Sequence, residues 1–575
     1  MVLKIRPSKV IMTFGPGSIL DLPDRETLMI QDPGHWPKKR WIYERRLASK
    51  LGVDRFAEPI GRPTGRQTQD GGLPAVDFPR VRYCPVCKLL STDRWCKNHP
   101  GSPEPPKTMG PRLVAACPAG HIEDFPWKKW IHCDCRGGRE RLFLKGGGAA
   151  SDSDLILECE TCHKRRDLQG ATGWMTWADC QGARPWVGDQ ETCQFKLRGL
   201  MRGASNVYFP ATSSSISIPP HGALQRLLEG YADAARLNWE EGTIADWARI
   251  TAGLRDRIAR GQFSLDQIVQ GFNELYRPSD SHEIKGAEWR VLTRPGFPVG
   301  GEDFRGHSLD ISGSILADWF AGVTVVSLLR EVMALRGFTR IRAENQTVEG
   351  PDSSRQSIAV TLQEWTTKVP GQDAAENREP RWLPGVELFG EGIFFQFDAA
   401  RVSRWTDTNK DRIGRILGSP RRPTSAAEID IEDPRLLLVH SFAHLLIREI
   451  SMTCGYSSAA LRERIYVSRP GRGTGDMCGV LVYTSTTDSE GTLGGLIQQA
   501  KSKEALLDHV SAMREGARIC SQDPLCGAHD PVPTHDPWGA SCHACTQLPE
   551  TSCESLQNRL LDRKGIIDPV TGYFR

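Results

Sequence analysis

The chain has 575 residues, of which 39% are hydrophobic and 25% charged, and a formal net charge of +3. That length exceeds one hydrophobic core and implies roughly two to four domains, while the composition excludes bulk disorder. The near balance of charge excludes a globally basic nucleic-acid binder, so any such surface must be a local patch.

No apolar run reaches the roughly 18 residues of a membrane-spanning helix. The opening Met1-Val2-Leu3-Lys4-Ile5-Arg6-Pro7 lacks the apolar core of a signal peptide. A cytoplasmic location is expected, and disulfides are rare there. The 17 cysteines are therefore informative: ten lie between Cys84 and Cys193, five between Cys520 and Cys553, and only Cys454 and Cys478 elsewhere. In a reducing compartment such clusters, with Cys-x2-Cys pairs, read as metal thiolates rather than disulfides.

Residues 1–80 form an N-terminal segment. Phe14-Gly15-Pro16-Gly17-Ser18 is a tight turn that lacks the lysine of a phosphate-binding loop. Trp36-Pro37-Lys38-Lys39-Arg40-Trp41 and then Arg45-Arg46 interleave aromatics with bases. Lys38, Lys39, Arg40, Arg45 and Arg46 are candidate DNA contacts, because stacking and phosphate pairing use those residue types. The plainer reading is a solvated basic surface anchored by two tryptophans.

Residues 81–210 form a zinc-binding region. Cys84-x2-Cys87 and Cys96-x2-His99 supply two pairs of donors from two tight turns, which suits tetrahedral zinc. Cys159-x2-Cys162 is a second knuckle, with Cys180 and Cys193 as its expected partners. Between them Cys117, His121, His132, Cys133 and Cys135 are irregularly spaced. They read either as a third site or as free thiols with a capping histidine. No open coordination position or general base is recognisable, so two to three structural zinc ions are expected.

Residues 211–380 read as a mainly helical middle region, with short helices broken near Gly242 and Gly261. The apolar spacing of Leu316, Phe320, Val323, Val326 and Leu329 predicts a helix over 313–336, and 344–380 reads as a polar connector.

Residues 381–575 form the C-terminal domain. A core strand is expected over 392–398, and two neighbouring strands over 462–468 and 479–485. The helix over 434–450 sets Leu438, Phe442, Leu445, Leu446 and Ile450 on its core side. His440, His444 and Arg448 follow at i, i+4 and i+8 as a polar stripe. A zinc protease needs Glu directly after the first His, and Ser441 stands there. The stripe reads as histidines hydrogen-bonded to neighbouring loops, or as contacts to phosphate or a partner. The glycine turn over 488–496 could hold an anion, although Asp488 and Glu490 oppose it. Cys526, Cys542-x2-Cys545 and Cys553 make a four-thiolate zinc set, with Cys520 as a possible substitute. The fold class expected is mixed α+β and multi-domain, with a zinc-ribbon-like N-terminal region, a helical middle and an α/β C-terminal domain closed by a four-Cys zinc site.

Several motifs together resemble a known family. Arg6-Pro7-Ser8, Gly15-Pro16-Gly17-Ser18, Gly120-His121 with Asp124-Phe125-Pro126-Trp127, and the stretch 202–210 resemble the DrmB subunits of DISARM, a prokaryotic anti-phage defence system. His440-Ser441-Phe442-Ala443-His444-Leu445-Leu446, Gly455-Tyr456-Ser457-Ser458 and the block from Asp523-Pro524 to Cys553 resemble the zinc-binding C-terminal domain of MrfA-type repair helicases. The resemblance implies a subunit that works beside a DrmA-like superfamily 2 helicase. It implies DNA binding by the pair, a zinc domain that buttresses the motor, and methylation by separate subunits. Domains of the MrfA type are fused to their motor, whereas this chain has no G-x4-G-K-[ST] loop. The expected function is thus a non-catalytic zinc-containing subunit that helps a helicase engage phage DNA. The alternatives are a metal-dependent nuclease, drawing on His440, His444, Arg448, Asp488 and Glu490, and a scaffold that binds only protein.

Overall fold

Short strands joined by glycine- and cysteine-bearing turns dominate the first 210 residues of this computed structural model. It describes residues 6–22, 26–36, 39–59, 63–64, 73–146, 155–218, 223–276, 284–294, 298–300, 303–344, 347–348, 354–355, 360–361, 381–420, 422–423, 428–471, 475–485, 495–531, 537–549, 551–554 and 556–575. The chain is mixed α+β and divides into two units. One comprises Met1–Trp41, Ala57–Ser213 and Ala334–Val386, the other Ile42–Phe56, Ser214–Met333 and Glu387–Arg575.

In the first unit β1 (Thr27–Ile30) pairs antiparallel with β2 (Leu73–Asp77). A second sheet uses β3 (Leu113–Ala116), β4 (Ile122–Asp124), β8 (Trp174–Asp179) and β9 (Lys196–Met201) in the order β4-β3-β9-β8. A third runs β5 (Leu142–Gly146), β6 (Leu155–Cys159) and β7 (Arg165–Asp167). Strand β3 is buried along its whole length, and period-two alternation divides its side chains between two cores. Leu113 and Ala115 join Phe125, Trp127, Trp130 and Leu157, while Val114 and Ala116 join Met29, Phe78, Trp186 and Phe338. The buried Arg340 guanidinium donates to the backbone carbonyls of Gly17, Gly120 and Val207 at 2.8, 2.7 and 2.6 Å. One side chain thereby ties three loop segments together.

The second unit contains a cluster of short helices, α1 (Ala223–Glu229), α2 (Ala232–Glu240), α3 (Ile244–Ile250), α4 (Ala252–Ala259) and α5 (Leu265–Tyr276). Leu228, Ala235, Ala248, Leu254, Ile268 and Phe272 form its core. The breaks fall at Gly242 and Gly261, both in the left-handed region at φ 74° and 69°. After α6 (Ile284–Leu292) comes a sheet in the order β10-β11-β12-β14-β13. Its strands are β10 (Phe304–Leu309), β11 (Phe320–Thr339, in this unit as far as Met333), β12 (Trp382–Phe397, in this unit from Glu387), β13 (Leu461–Ser468) and β14 (Met477–Thr484).

The helix expected over 313–336 is therefore a correction: only Leu316–Trp319 is helical, and from Phe320 the chain is strand. The cause is burial on both faces. Val323 and Val325 pack into one core while Val326 and Leu329 pack into another. A strand buried on both sides is apolar throughout, so helical spacing can be drawn through it by chance.

One side of this sheet is covered by α7 (Arg435–Cys454), whose Phe442 ring lies 5.1 Å from Phe395 and 5.4 Å from Phe574. The other carries α6, with Trp289 5.5 Å from Phe394. Helix α7 is long and apolar enough by composition to span a membrane, but 78% of its apolar window is buried in the fold. It ends where Gly455 takes φ 73°, a left-handed stop.

Candidate metal centres

Four sets of cysteine and histidine side chains converge, each with its four donor atoms within 4.8 Å of one another. Tetrahedral zinc with Zn–S near 2.3 Å sets sulfurs roughly 3.8 Å apart, which is the test the geometry must meet.

The first set is Cys84, Cys87, Cys96 and His99. Cys87 and Cys96 sulfurs are 3.5 Å apart, and Cys84 Sγ lies 3.5 Å from His99 Nε2. The knuckle follows from a turn in which Lys88 N–H donates to Cys84 carbonyl at 2.9 Å and Lys88 sits at φ 67°. Against the cost of burial, the Leu89 N–H and the Asn98 side chain bring Cys87 down to about 7. A thiolate is the ligand form; Cys87 is shifted toward it, while burial and the neighbouring thiols push Cys96 up to about 12.

The second set is Cys117, His121, Cys180 and Cys193. Cys117 Sγ lies 3.4 Å from His121 Nδ1 and 3.8 Å from Cys193 Sγ, while Cys180 Sγ lies 3.6 Å from the same Nδ1. Nε2 of His121 faces the Glu191 carboxylate at 2.6 Å. The contact with Cys117 pulls Cys180 to about 5 and Cys193 to about 6. The third set is Cys133, Cys135, Cys159 and Cys162, with sulfurs 3.5 to 3.8 Å apart. It uses a second knuckle, closed by His163 at φ 60°. Against burial, the Cys162 N–H and its neighbours bring Cys159 down to about 6. The fourth is Cys520, Cys526, Cys542 and Cys545, with Cys520 3.5 Å from Cys542 and Cys526 3.7 Å from Cys545.

The first set holds the four side chains the spacing brings together. Cys159 and Cys162 do not meet Cys180 and Cys193; the structure corrects that pairing by dividing the four between two sets. It likewise splits Cys117 and His121 from Cys133 and Cys135. The reason is register: β9 lies beside β3, which delivers Cys193 and Cys180 to the Cys117 turn, while Cys159 ends β6 beside the Cys133 loop. A signal for this was present in the sequence. Ten cysteines with His99, His121, His132 and His163 are fourteen possible donors, enough for three tetrahedral sites rather than two. In the fourth set Cys520 stands where Cys553 was expected, and Cys553 lies instead 3.4 Å from His440 Nε2.

The candidate DNA contacts fare differently. Lys38, Asp488, Glu490 and the glycine turn over 491–494 lie outside the described residues. Lys39 Nζ lies 4.8 Å above the Trp382 ring, and the exposed Arg40 pairs with Glu58. Arg45 opens the helix Arg45–Leu51 and is half-buried. Arg46 pairs with Glu44 and donates to the Ile216 carbonyl. Arg448 is half-buried on α7. His440 and His444 are fully buried with 0% exposure, so neither faces a DNA surface; these two members of the stripe point into the core and meet the Leu560 and Thr546 carbonyls.

The geometry defines a multi-domain, cysteine-rich protein whose donor sets have the chemistry of structural zinc sites. Residues 442–546 match the MrfA Zn-binding domain, and residues 6–209 match a domain of unknown function, DUF8724. The chain is 30% identical to the DISARM protein DrmB of Bacillus paralicheniformis (strain ATCC 9945a / NCIMB 11709 / CD-2), over 95% of its own length and 97% of the relative's. The chain belongs to the DrmB family of DISARM proteins.

Proposed function

We propose that this chain is a non-catalytic, zinc-containing subunit of a DISARM-type defence system, which partners a DrmA-like superfamily 2 helicase and helps it engage phage DNA. The observation that carries this reading is the end-to-end similarity to a DISARM DrmB protein in a chain without a nucleotide-binding loop of its own. Four structural zinc ions, one per cysteine set, are part of the proposal. Each set supplies four protein donors, so none leaves a coordination position for substrate water. The ions stand in for hydrophobic core where strands are three to six residues long.

The nuclease reading gains no support. Two of its residues, His440 and His444, are buried, and Asp488 and Glu490 lie outside the described residues. The test is co-expression with the helicase subunit, followed by size exclusion and DNA titration at several salt concentrations. Co-elution and an affinity that falls linearly on a log–log salt plot are expected, because phosphate contacts release counterions. Separate elution together with no DNA binding at low salt overturns the proposal.

A further inference from the structure

Helix α7 and strand β13 bring together four side chains that none of the cysteine sets uses. His440 and His444 lie one turn apart on the inner face of α7, Glu463 comes from β13, and Cys553 comes from the segment after the last zinc knuckle. All four are buried, and one donor atom from each lies within 4.8 Å of the others. Glu463 Oε1 is 3.3 Å from His440 Nε2 and 3.5 Å from His444 Nε2, and Cys553 Sγ is 3.4 Å from His440 Nε2.

The outer hydrogen bonds fix what these atoms are. Nδ1 of His440 lies 3.1 Å from the Leu560 carbonyl, and Nδ1 of His444 lies 2.9 Å from the Thr546 carbonyl. A carbonyl only accepts, so both Nδ1 atoms carry hydrogen and donate. A neutral ring so held turns its Nε2 lone pair inward, toward a carboxylate and a sulfur. The Cys553 sulfur accepts from Asn558 N–H at 3.3 Å, and Glu463 Oε1 accepts from Glu554 N–H at 2.9 Å, so both anions are supported by backbone donors. His444 Nε2 and Glu463 Oε2 make no hydrogen bond although both are buried.

Without a cation the two extreme protonation states of the pair are each costly. Neutral imidazoles set lone pairs against lone pairs at about 3.4 Å. Doubly protonated ones bury two like charges whose rings are 4.4 Å apart, with only Glu463 and Cys553 to offset them. A divalent ion removes both difficulties, since two neutral imidazoles, one carboxylate and one thiolate cancel its charge and give it four donors. Imidazoles held by carbonyls through the far nitrogen are also the usual outer support of a metal-bound histidine.

We propose that His440 Nε2, His444 Nε2, a Glu463 oxygen and Cys553 Sγ form a fifth metal site, a closed structural centre for a zinc-like divalent transition cation. The mixed nitrogen, oxygen and sulfur set suits borderline zinc, and four protein donors leave no position for substrate. The ion would clamp α7, β13 and the C-terminal segment to one another. This inference stands whether or not the chain meets DNA or a helicase.

The test uses crystals of the full chain, with anomalous data collected above and below the zinc edge. A peak among the four side chains, in addition to those at the cysteine sets, is the expected result. Peaks at the cysteine sets with none here overturn the proposal. Elemental analysis gives a second readout: His444→Gln and Cys553→Ser should each lower the zinc count by one equivalent per chain. An unchanged count in folded variants also overturns it. If either variant fails to fold, the anomalous map on the unaltered chain still decides.

Discussion

Glu191 Oε1 lies 2.6 Å from Nε2 of His121, whose other ring nitrogen faces the sulfurs of Cys117 and Cys180. The carboxylate fixes the tautomer that leaves Nδ1 free to bind metal, although Glu191 itself is part-exposed and shared with Arg184. Glu191→Ala is expected to weaken metal holding at this set by about 10- to 100-fold while the chain stays folded. Competition with a chromophoric chelator reads this as one equivalent released early. Release kinetics identical to the parent chain would remove Glu191 from the site.

The division of cysteines between sets has its own test in zinc counts. Cys133→Ala and Cys159→Ala should each cost one equivalent, and the double variant should still cost one, because both side chains serve the same ion. Cys159→Ala combined with Cys180→Ala should cost two. The pairing suggested by spacing alone requires the opposite pattern.

That contrast shows what the chain made legible. A Cys-x2-Cys knuckle is a local turn, so Cys84-x2-Cys87, Cys159-x2-Cys162 and Cys542-x2-Cys545 could be read from spacing. Which distant pair completes each knuckle depends on strand register, and no short-range rule reports it. Helix α7 was legible over 434–450 and in its core side, and its histidines do hydrogen-bond to neighbouring loops, at Leu560 and Thr546; their burial conflicts only with the reading as DNA contacts. From Leu436 to Ile450 nearly every side chain is buried, so polarity no longer marks the outside there. Strand β11 failed for the related reason that burial on both faces erased its alternation.

Arg340 links three loops through backbone carbonyls only, a role that needs the planar fork of a guanidinium. Arg340→Met leaves three buried acceptors without donors, and should lower stability by roughly 3 kcal/mol or more. Arg340→Lys should recover only part of this, since one ammonium cannot reach all three carbonyls. Denaturant midpoints of the three proteins check the order.

Burial raises the Asp124 carboxyl to about 6, even though Val81 N–H donates to it at 3.0 Å. Its folded value is above its unfolded one, so the folded state holds the proton more tightly. The stability this gives is complete below the unfolded pKa near 4 and is lost as pH rises through 6. Asp124→Asn keeps the acceptor without the titration. The parent chain should therefore lose roughly 2–3 kcal/mol relative to Asp124→Asn between pH 4 and 7. Parallel pH-stability curves would show that the carboxyl does not titrate in this window.

Glu288 on α6 is the hub of a buried polar cluster. Its carboxylate accepts from Arg464 at 2.6 and 2.9 Å, from the Tyr466 hydroxyl at 2.9 Å and from the Ile216 N–H at 2.9 Å. Arg464 is held well above its ordinary value; burial opposes its charge and Glu288 overcomes that. Removing the acid leaves the buried guanidinium with only the more distant Glu554, at 3.8 Å, and the Ser214 oxygens as partners. Glu288→Ala is expected to cost about 3–5 kcal/mol. The paired change Glu288→Leu with Arg464→Met should recover much of the loss, because no buried charge then remains without a partner. A double variant no more stable than Glu288→Ala would mean that the hydrogen bonds to Tyr466 and Ile216, rather than the ion pair, hold α6 on the sheet.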